Sequence, residues 1–249
     1  MATNKTLKDD IINSTVKKEN SSSVEGITLA TLLKSDSIKN KFESVLEEGA
    51  SQFLISISNL VNGDKGLREA EPISVLSSCF IAASLNLPIE KNLGYAWIIP
   101  YNGKATFQIG YKGYVQLALR TGEYTAINVV SIREGELIRY NPLLEEIELD
   151  FNKVKSDVVI GYAAHFKLKN GFTKTVYWTV EDIINHAKKY SPSFNNKNSL
   201  WKTDFDKMAK KTVLKNLLSK WGILSVKMNE AYMNDMVENS NNELFQVVK

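Results

Sequence analysis

The chain has one cysteine, Cys79, among 249 residues, so no internal disulfide framework can form, and a reducing compartment is the expected setting. Cys79 lies in an apolar helical pattern with Val75, Leu76, Phe80 and Ala83, where packing rather than nucleophilic chemistry is expected of it. No run of about 18 apolar residues occurs, so no transmembrane helix is expected. The first residues carry charges without an apolar stretch behind them, so no secretory signal is expected and the chain reads as cytoplasmic. With only His165 and His186 beside the one cysteine, a typical zinc site cannot be assembled. No Gly-Lys-Ser or Gly-Lys-Thr is present, and Gly103-Lys104 is followed by Ala105, so a P-loop is missing.

A more local deficit organises the rest. Between Lys91 and Arg120 there is no carboxylate, while four basic and six aromatic side chains are present. Within that stretch Asn102-Gly103 marks a type I′ turn between strands at 95–101 and 104–109. Trp97, Ile99 and Phe107 alternate with smaller neighbours and are expected to be buried. Gly110-Tyr111-Lys112-Gly113 then opens a helix over 114–120 that Gly122 stops. A helix start offers unpaired N–H groups and positive potential to a phosphate, and the two glycines would let a backbone come close. Aromatic faces beside unopposed positive charge suit a nucleic-acid strand, though a buried aromatic core fits this segment equally well.

The formal net charge of +3 conceals a segregation. Residues 188–227 hold ten lysines against Asp204 and Asp206; residues 123–157 hold eight acids against four bases. Such separation suggests a basic track and an acidic face.

Residues 1–25 read as a disordered Lys/Ser/Asn-rich arm. Ser35 or Ser37 caps a long amphipathic helix, with a kink expected at Gly49, followed by a loop at 62–66 and a second helix from Pro72 to about Ala83. Strands follow at 124–132, 136–140, 147–151, 158–168 and 174–178, with a second hairpin at Asn170-Gly171. Thr179 caps a short helix ending near Tyr190, and 191–199 is a polar, mobile loop. The last helix, about 203–221, has an apolar stripe of Phe205, Ala209, Val213, Leu217 and Trp221. Lys207, Lys211 and Lys215 stack down a neighbouring face; Asp206 can pair with Lys210, but no acid lies four residues from Lys211 or Lys215. A solvated face accommodates such a row, and a polyanion lying along it would relieve the repulsion. Helices, then strands, then helices point to an α+β fold, a β-hairpin and mainly antiparallel sheet packed with helices.

Three blocks, IPYNGKATFQIGYKGYVQLALRTGEY (99–124), GYAAHFKLKNG (161–171) and LWKTDFDKMAKKTVLKNLLSKWG (200–222), resemble in order those of the RecT family of phage and prophage single-strand annealing proteins. The distant block reads Trp201, Asp204, Met208, Lys211 and Thr212, in a W-x-x-D-x-x-x-M-x-x-K-T pattern, and the likeness covers roughly 28–224. The resemblance implies a recombinase that works without ATP, binds single-stranded DNA and the annealed duplex, and assembles as rings or helical filaments. It implies a phage exonuclease as partner and, through the C-terminal region, a host single-strand-binding protein; the tail at 226–249 is short and acidic, which puts the latter in doubt. The annealing domain would be 26–225, between the arm at 1–25 and that tail. No cofactor is expected, with magnesium at most a modulator, and no membrane.

Annealing makes and breaks no covalent bond, so it needs phosphate neutralisation and exposed base edges rather than a catalytic constellation. The residues expected to line the DNA groove are Lys104, Gln108, Tyr111, Lys112, Arg120, Lys202, Lys207, Lys211 and Lys215, with the cations at phosphates and the Tyr111 ring stacking or wedging between bases. Trp201 could stack but reads first as a packing anchor; Tyr190, Lys188 and Lys189 are weaker candidates, and Arg133 and Arg139, amid acids, read as structural or as a subunit contact. Two alternatives stand beside this. A metal-dependent phage nuclease could use Glu134, Glu136, Asp150 or Asp157, although no Asp/Glu-x-Lys triplet occurs. A duplex-DNA-binding regulator would need a recognition helix rich in Arg, Asn and Gln, whereas the last helix is lysine-rich.

Overall fold

The computed structural model describes residues 28–223, except Pro192 and Asn198; the arm at 1–25 and the tail at 226–249 lie outside the described residues. The fold is α+β, and among the described residues all strand pairs are antiparallel. The chain divides into two compact units, residues 1–113 and 114–249.

The first unit is helical with one hairpin. Helices α1 (Leu29–Lys34), α2 (Asp36–Leu46), α3 (Ala50–Asn62), α4 (Lys65–Glu69) and α5 (Pro72–Ser84) precede strands β1 (Ala96–Tyr101) and β2 (Lys104–Ile109). The long helix expected from residue 35 is broken rather than kinked. Glu47 takes φ 50°, and one 3-10 turn, Glu47–Gly49, separates α2 from α3. The loop expected at 62–66 instead starts α4, whose N-terminus Asp64 caps by accepting from Leu67 N–H at 3.2 Å. Pro72 occupies the first turn of α5, where its missing N–H costs nothing.

Asn102 and Gly103, at φ 48° and 75°, give the hairpin the two left-handed residues a type I′ turn requires. The register pairs Ala96 with Ile109, Ile98 with Phe107 and Pro100 with Ala105, so these side chains share one face. That face is the buried one: Ala96, Ile98, Phe107 and Ile109 are at most 4% exposed. It packs on α5, where Ser78 Oγ donates to Ala105 O at 2.9 Å and Ala105 N–H donates to Ser74 Oγ at 2.8 Å. The alternation therefore runs in the opposite phase for Trp97 and Ile99 from the one the sequence suggested: Trp97 is half-buried and Ile99 is 36% exposed, on the outer face.

Helix α6 (Tyr111–Arg120) follows β2 at once, and the boundary between the units falls inside it. In the second unit, β3 (Tyr124–Arg133), β6 (Val159–Leu168) and β7 (Thr173–Thr179) form a sheet in the order β3-β6-β7, while β4 (Leu137–Asn141) and β5 (Glu146–Leu149) pair separately. Helices α7 (Val180–Tyr190), α8 (Leu200–Thr203) and α9 (Phe205–Trp221) complete it. Thr179 and Asp182 close a full capping box at the start of α7. Pairing of Val129 with Ala164, Ile127 with Phe166 and Tyr162 with Trp178 sets these residues on one face of the sheet. Rings from α8 and α9 reach that side, where Phe205 lies 6.4 Å from Tyr162 and 5.9 Å from Trp201. Ala209, Val213, Leu214, Leu217 and Leu218 of α9 are buried, but Trp221, expected in the stripe, is 44% exposed with Lys174 Nζ 3.9 Å above its ring. No described helix is long and apolar enough to cross a membrane.

Candidate nucleic-acid interface

The outer face of the β1–β2 hairpin is formed by Trp97, Ile99 and Tyr101 paired across the ladder with Gln108, Thr106 and Lys104. Lys104 and Tyr101 are exposed, and Gln108 and Trp97 half-buried, so two rings, one amide and one ammonium share a surface. This follows from strand geometry alone: once Ile98 and Phe107 are committed to α5, their neighbours must face the other way.

Next along the chain comes Gly110-Tyr111-Lys112-Gly113. The helix begins at Tyr111, three residues earlier than expected, with Lys112 exposed in its first turn and Tyr111 half-buried. The two glycines serve the protein's own backbone rather than a ligand's. A Cβ at Gly110 would stand 2.1 Å from Gly94 O, and one at Gly113 would stand 2.2 Å from Tyr95 O. Gly110 N–H also donates to Tyr95 O at 2.8 Å. The start of α6 is thereby held against the chain leading into β1, and Lys112 projects from a fixed position. Lys91 is not unopposed: it pairs with Asp64 at 2.7 Å, which with the Leu67 N–H holds that carboxyl below its ordinary range.

The second unit carries the remaining candidates. Lys207, Lys211 and Lys215 follow one another at successive turns of α9; Lys207 is exposed, and Lys211 and Lys215 are half-buried. Asp204 organises the start of this row. Its side chain accepts from Lys207 N–H as the helix N-cap and also pairs with Lys207 Nζ. That hydrogen bond lowers the Asp204 pKa and raises that of Lys207. Asp206 pairs with Lys210 at 2.7 Å, as the spacing suggested. Asp206 also hydrogen-bonds Tyr162, whose phenol is pushed up to about 12 by burial and by that carboxylate. Lys202 on α8 is exposed, its Nζ 4.9 Å from the Phe194 ring centre, and Arg120 is exposed at the end of α6.

Trp201 is the packing anchor of this region. It is 5% exposed, lies against Phe194 and Phe205, and donates from Nε1 to Ser191 Oγ at 3.0 Å. Phe194, inside the segment read as polar, is itself buried. Thus Lys104, Gln108, Tyr111 and Lys112 lie along one short stretch of the first unit, and Lys202, Lys207, Lys211 and Lys215 belong to two successive helices of the second. The sequence reading missed Trp97 and Tyr101 as members of the hairpin surface, because which phase of an all-apolar strand faces inward depends on the helix beneath it.

The carboxylates named for a nuclease are engaged elsewhere. Glu136, 1% exposed, accepts from Arg133 N–H at 2.7 Å and from its guanidinium at 2.8 Å, contacts that hold its pKa below the ordinary value. Glu134 accepts from Ser156 Oγ at 2.7 Å, Asp150 pairs with Lys153 at 3.6 Å and Asp157 with Arg133 at 3.6 Å. Among the described residues no three His, Cys, Asp or Glu side chains gather where they could hold a metal ion. Arg139 pairs with Glu148 at 3.9 Å, and His165 Nδ1 is 2.9 Å from Thr175 Oγ1 within the sheet.

The RecT family profile matches residues 51–246. The chain belongs to the RecT family. It is 54% identical over 237 residues to the uncharacterized protein YqaK of Bacillus subtilis (strain 168), covering 94% of this chain and 81% of that protein. It is 27% identical over 181 residues to Protein RecT of Escherichia coli (strain K12), covering 69% of this chain and 66% of that one. Membership in the RecT family supports a role in DNA recombination and annealing, in a family generally without enzymatic activity.

Proposed function

We propose that this RecT-family chain binds single-stranded DNA and pairs it with a complementary strand without ATP, in phage homologous recombination. The observation that carries the reading is the outer face of the β1–β2 hairpin, where Trp97 and Tyr101 stand beside Lys104 and Gln108 and lead directly to Tyr111 and Lys112. Rings hold bases irrespective of sequence, and lysines screen phosphates. Arg120, Lys202, Lys207, Lys211 and Lys215 are assigned to further phosphates. The duplex product supplies the driving force, on the order of 1.4 kcal/mol per base-pair step, so the protein need only lower repulsion and keep base edges available.

The active region is 26–225, working as a homo-oligomer in ring or helical-filament form in the bacterial cytoplasm, beside a phage exonuclease and, where the acidic tail permits, a host single-strand-binding protein. No cofactor is assigned; magnesium modulates at most.

Mixing two complementary labelled oligonucleotides with the purified protein tests this. Expected is accelerated pairing without ATP, with log binding constant falling against log salt by about 0.7 per phosphate neutralised. Absence of acceleration overturns the reading; strand cleavage on adding magnesium would favour a nuclease, and preference for one duplex sequence a regulator.

A further inference from the structure

Three rings in the second unit climb from the sheet to the surface. Trp178 of β7 lies 5.1 Å from His186 of α7, edge to face, and His186 lies 4.6 Å from Tyr190, the last residue of α7. Trp178 and His186 are half-buried, whereas Tyr190 is 47% exposed. Cations flank the ladder. Lys189 Nζ is 5.0 Å from the Tyr190 ring centre, and Lys215, from the third turn of the α9 lysine row, acts on His186 from the neighbouring helix. Burial first, then Lys215 and Lys189, pushes the His186 pKa below its ordinary value, so the middle ring is an uncharged aromatic surface at neutral pH.

Packing accounts for the lower rungs, since Trp178 supports α7 through His186. It does not account for the upper one. Tyr190 leaves nearly half its surface in water at a helix end held in place, because the next residue, Ser191, accepts the Trp201 indole hydrogen bond. An exposed ring, tilted at 46° against a second ring and with the Lys189 ammonium over it, is an arrangement that can hold an unpaired base once that lysine turns to a phosphate.

We propose that Tyr190, supported by His186 and Trp178 and flanked by Lys189, is a stacking subsite for one base of a single nucleic-acid strand. It rests on the annealing reading and adds a ring contact to the α9 lysine row, which otherwise offers only charge. The subsite takes a base through its face, so its Watson–Crick edge stays open to a second strand. Inside a duplex both faces of each base are covered by neighbours, so paired DNA cannot use it. The ladder therefore discriminates by strandedness and not by sequence.

The test compares full-length wild type with Tyr190→Leu and Tyr190→Phe on two labelled strands of equal length, oligo(dT) and an abasic backbone of tetrahydrofuran units. Tyr190→Leu is expected to weaken oligo(dT) binding by about five- to 160-fold, the range for one lost base stack, and abasic binding by less than about twofold. Tyr190→Phe should keep the wild-type preference. Equal affinity of Tyr190→Leu and wild type for oligo(dT), or equal losses on both strands, overturns the subsite while leaving annealing intact. A wild type that binds neither strand overturns the annealing reading with it. Independently of any variant's folding, a 5-iododeoxyuridine strand irradiated with wild type should cross-link at Tyr190, mapped by mass spectrometry; cross-links elsewhere only would refute the assignment.

Discussion

Trp201 Nε1 and Ser191 Oγ, ten residues apart, are joined by a 3.0 Å hydrogen bond that ties the end of α7 to α8. The same indole lies between Phe194 and Phe205, which makes it the hub of the segment connecting the two helices. Trp201→Ala should cost about 3–5 kcal/mol, the usual result of emptying a buried tryptophan site. Trp201→Phe should cost less, since it keeps most of the ring packing and gives up the hydrogen bond. Urea denaturation followed by circular dichroism would report both; a loss under about 1 kcal/mol for the alanine variant would deny Trp201 this role.

Asp204 separates the short α8 from α9 and caps the latter. Asp204→Ala should destabilise by about 0.5–2 kcal/mol, and Asp204→Asn by less, because Asn retains the capping oxygen. Both variants free the Lys207 ammonium. At low salt they should therefore bind single-stranded DNA at least as well as wild type, despite melting earlier, and weaker binding by Asp204→Asn would show that the pair itself serves the interface.

Charge reversal separates the two groups of candidates. Lys112→Glu and Lys211→Glu are each expected to abolish annealing while far-ultraviolet circular dichroism stays unchanged. The slope of log binding constant against log salt should shrink by about 0.7 for each phosphate contact removed. Unaltered annealing by either variant would take that lysine out of the interface.

The two histidines predict a dependence of stability on acid. Burial lowers both the His165 and the His186 pKa relative to the unfolded value of 6.5, so the unfolded chain binds protons first. Stability conferred by the neutral rings is complete above the unfolded pKa. It declines as pH falls below 6.5 and levels off once pH passes the folded values. Thermal melts between pH 7.5 and 5.5 should show this decline, and it should diminish in a His165→Gln, His186→Gln double variant. A decline of the same size in that variant would place the titration elsewhere.

Local signals were the ones the sequence displayed most clearly. Asn102-Gly103, the Thr179 capping box and the Asp206–Lys210 pair each depend on residues a few positions apart, and all appear where the spacing placed them. The inward face of β1 was not legible, because Trp97-Ile98-Ile99 is apolar throughout and only the docking of Ile98 and Phe107 on α5 decides it. The break after Leu46 depends on Glu47 adopting a conformation that no local residue demands. Among the candidate binding residues, the lysine row was readable from its period of four. The ring ladder was not, since Trp178 and His186 come from a strand and a helix and meet only in the folded unit.

The internal clash awaiting any side chain at residues 110 and 113 has a consequence for variation of the G-Y-K-G stretch. Randomising the four codons and selecting only for soluble, folded protein should return glycine at both outer positions, since the carbonyls of Gly94 and Tyr95 leave no room for another side chain. Of the inner two, the exposed Lys112 should drift more widely under that selection than the half-buried Tyr111. A second selection, for recombination, would narrow position 112, so the two rounds together would separate the positions that build this turn from those that use it.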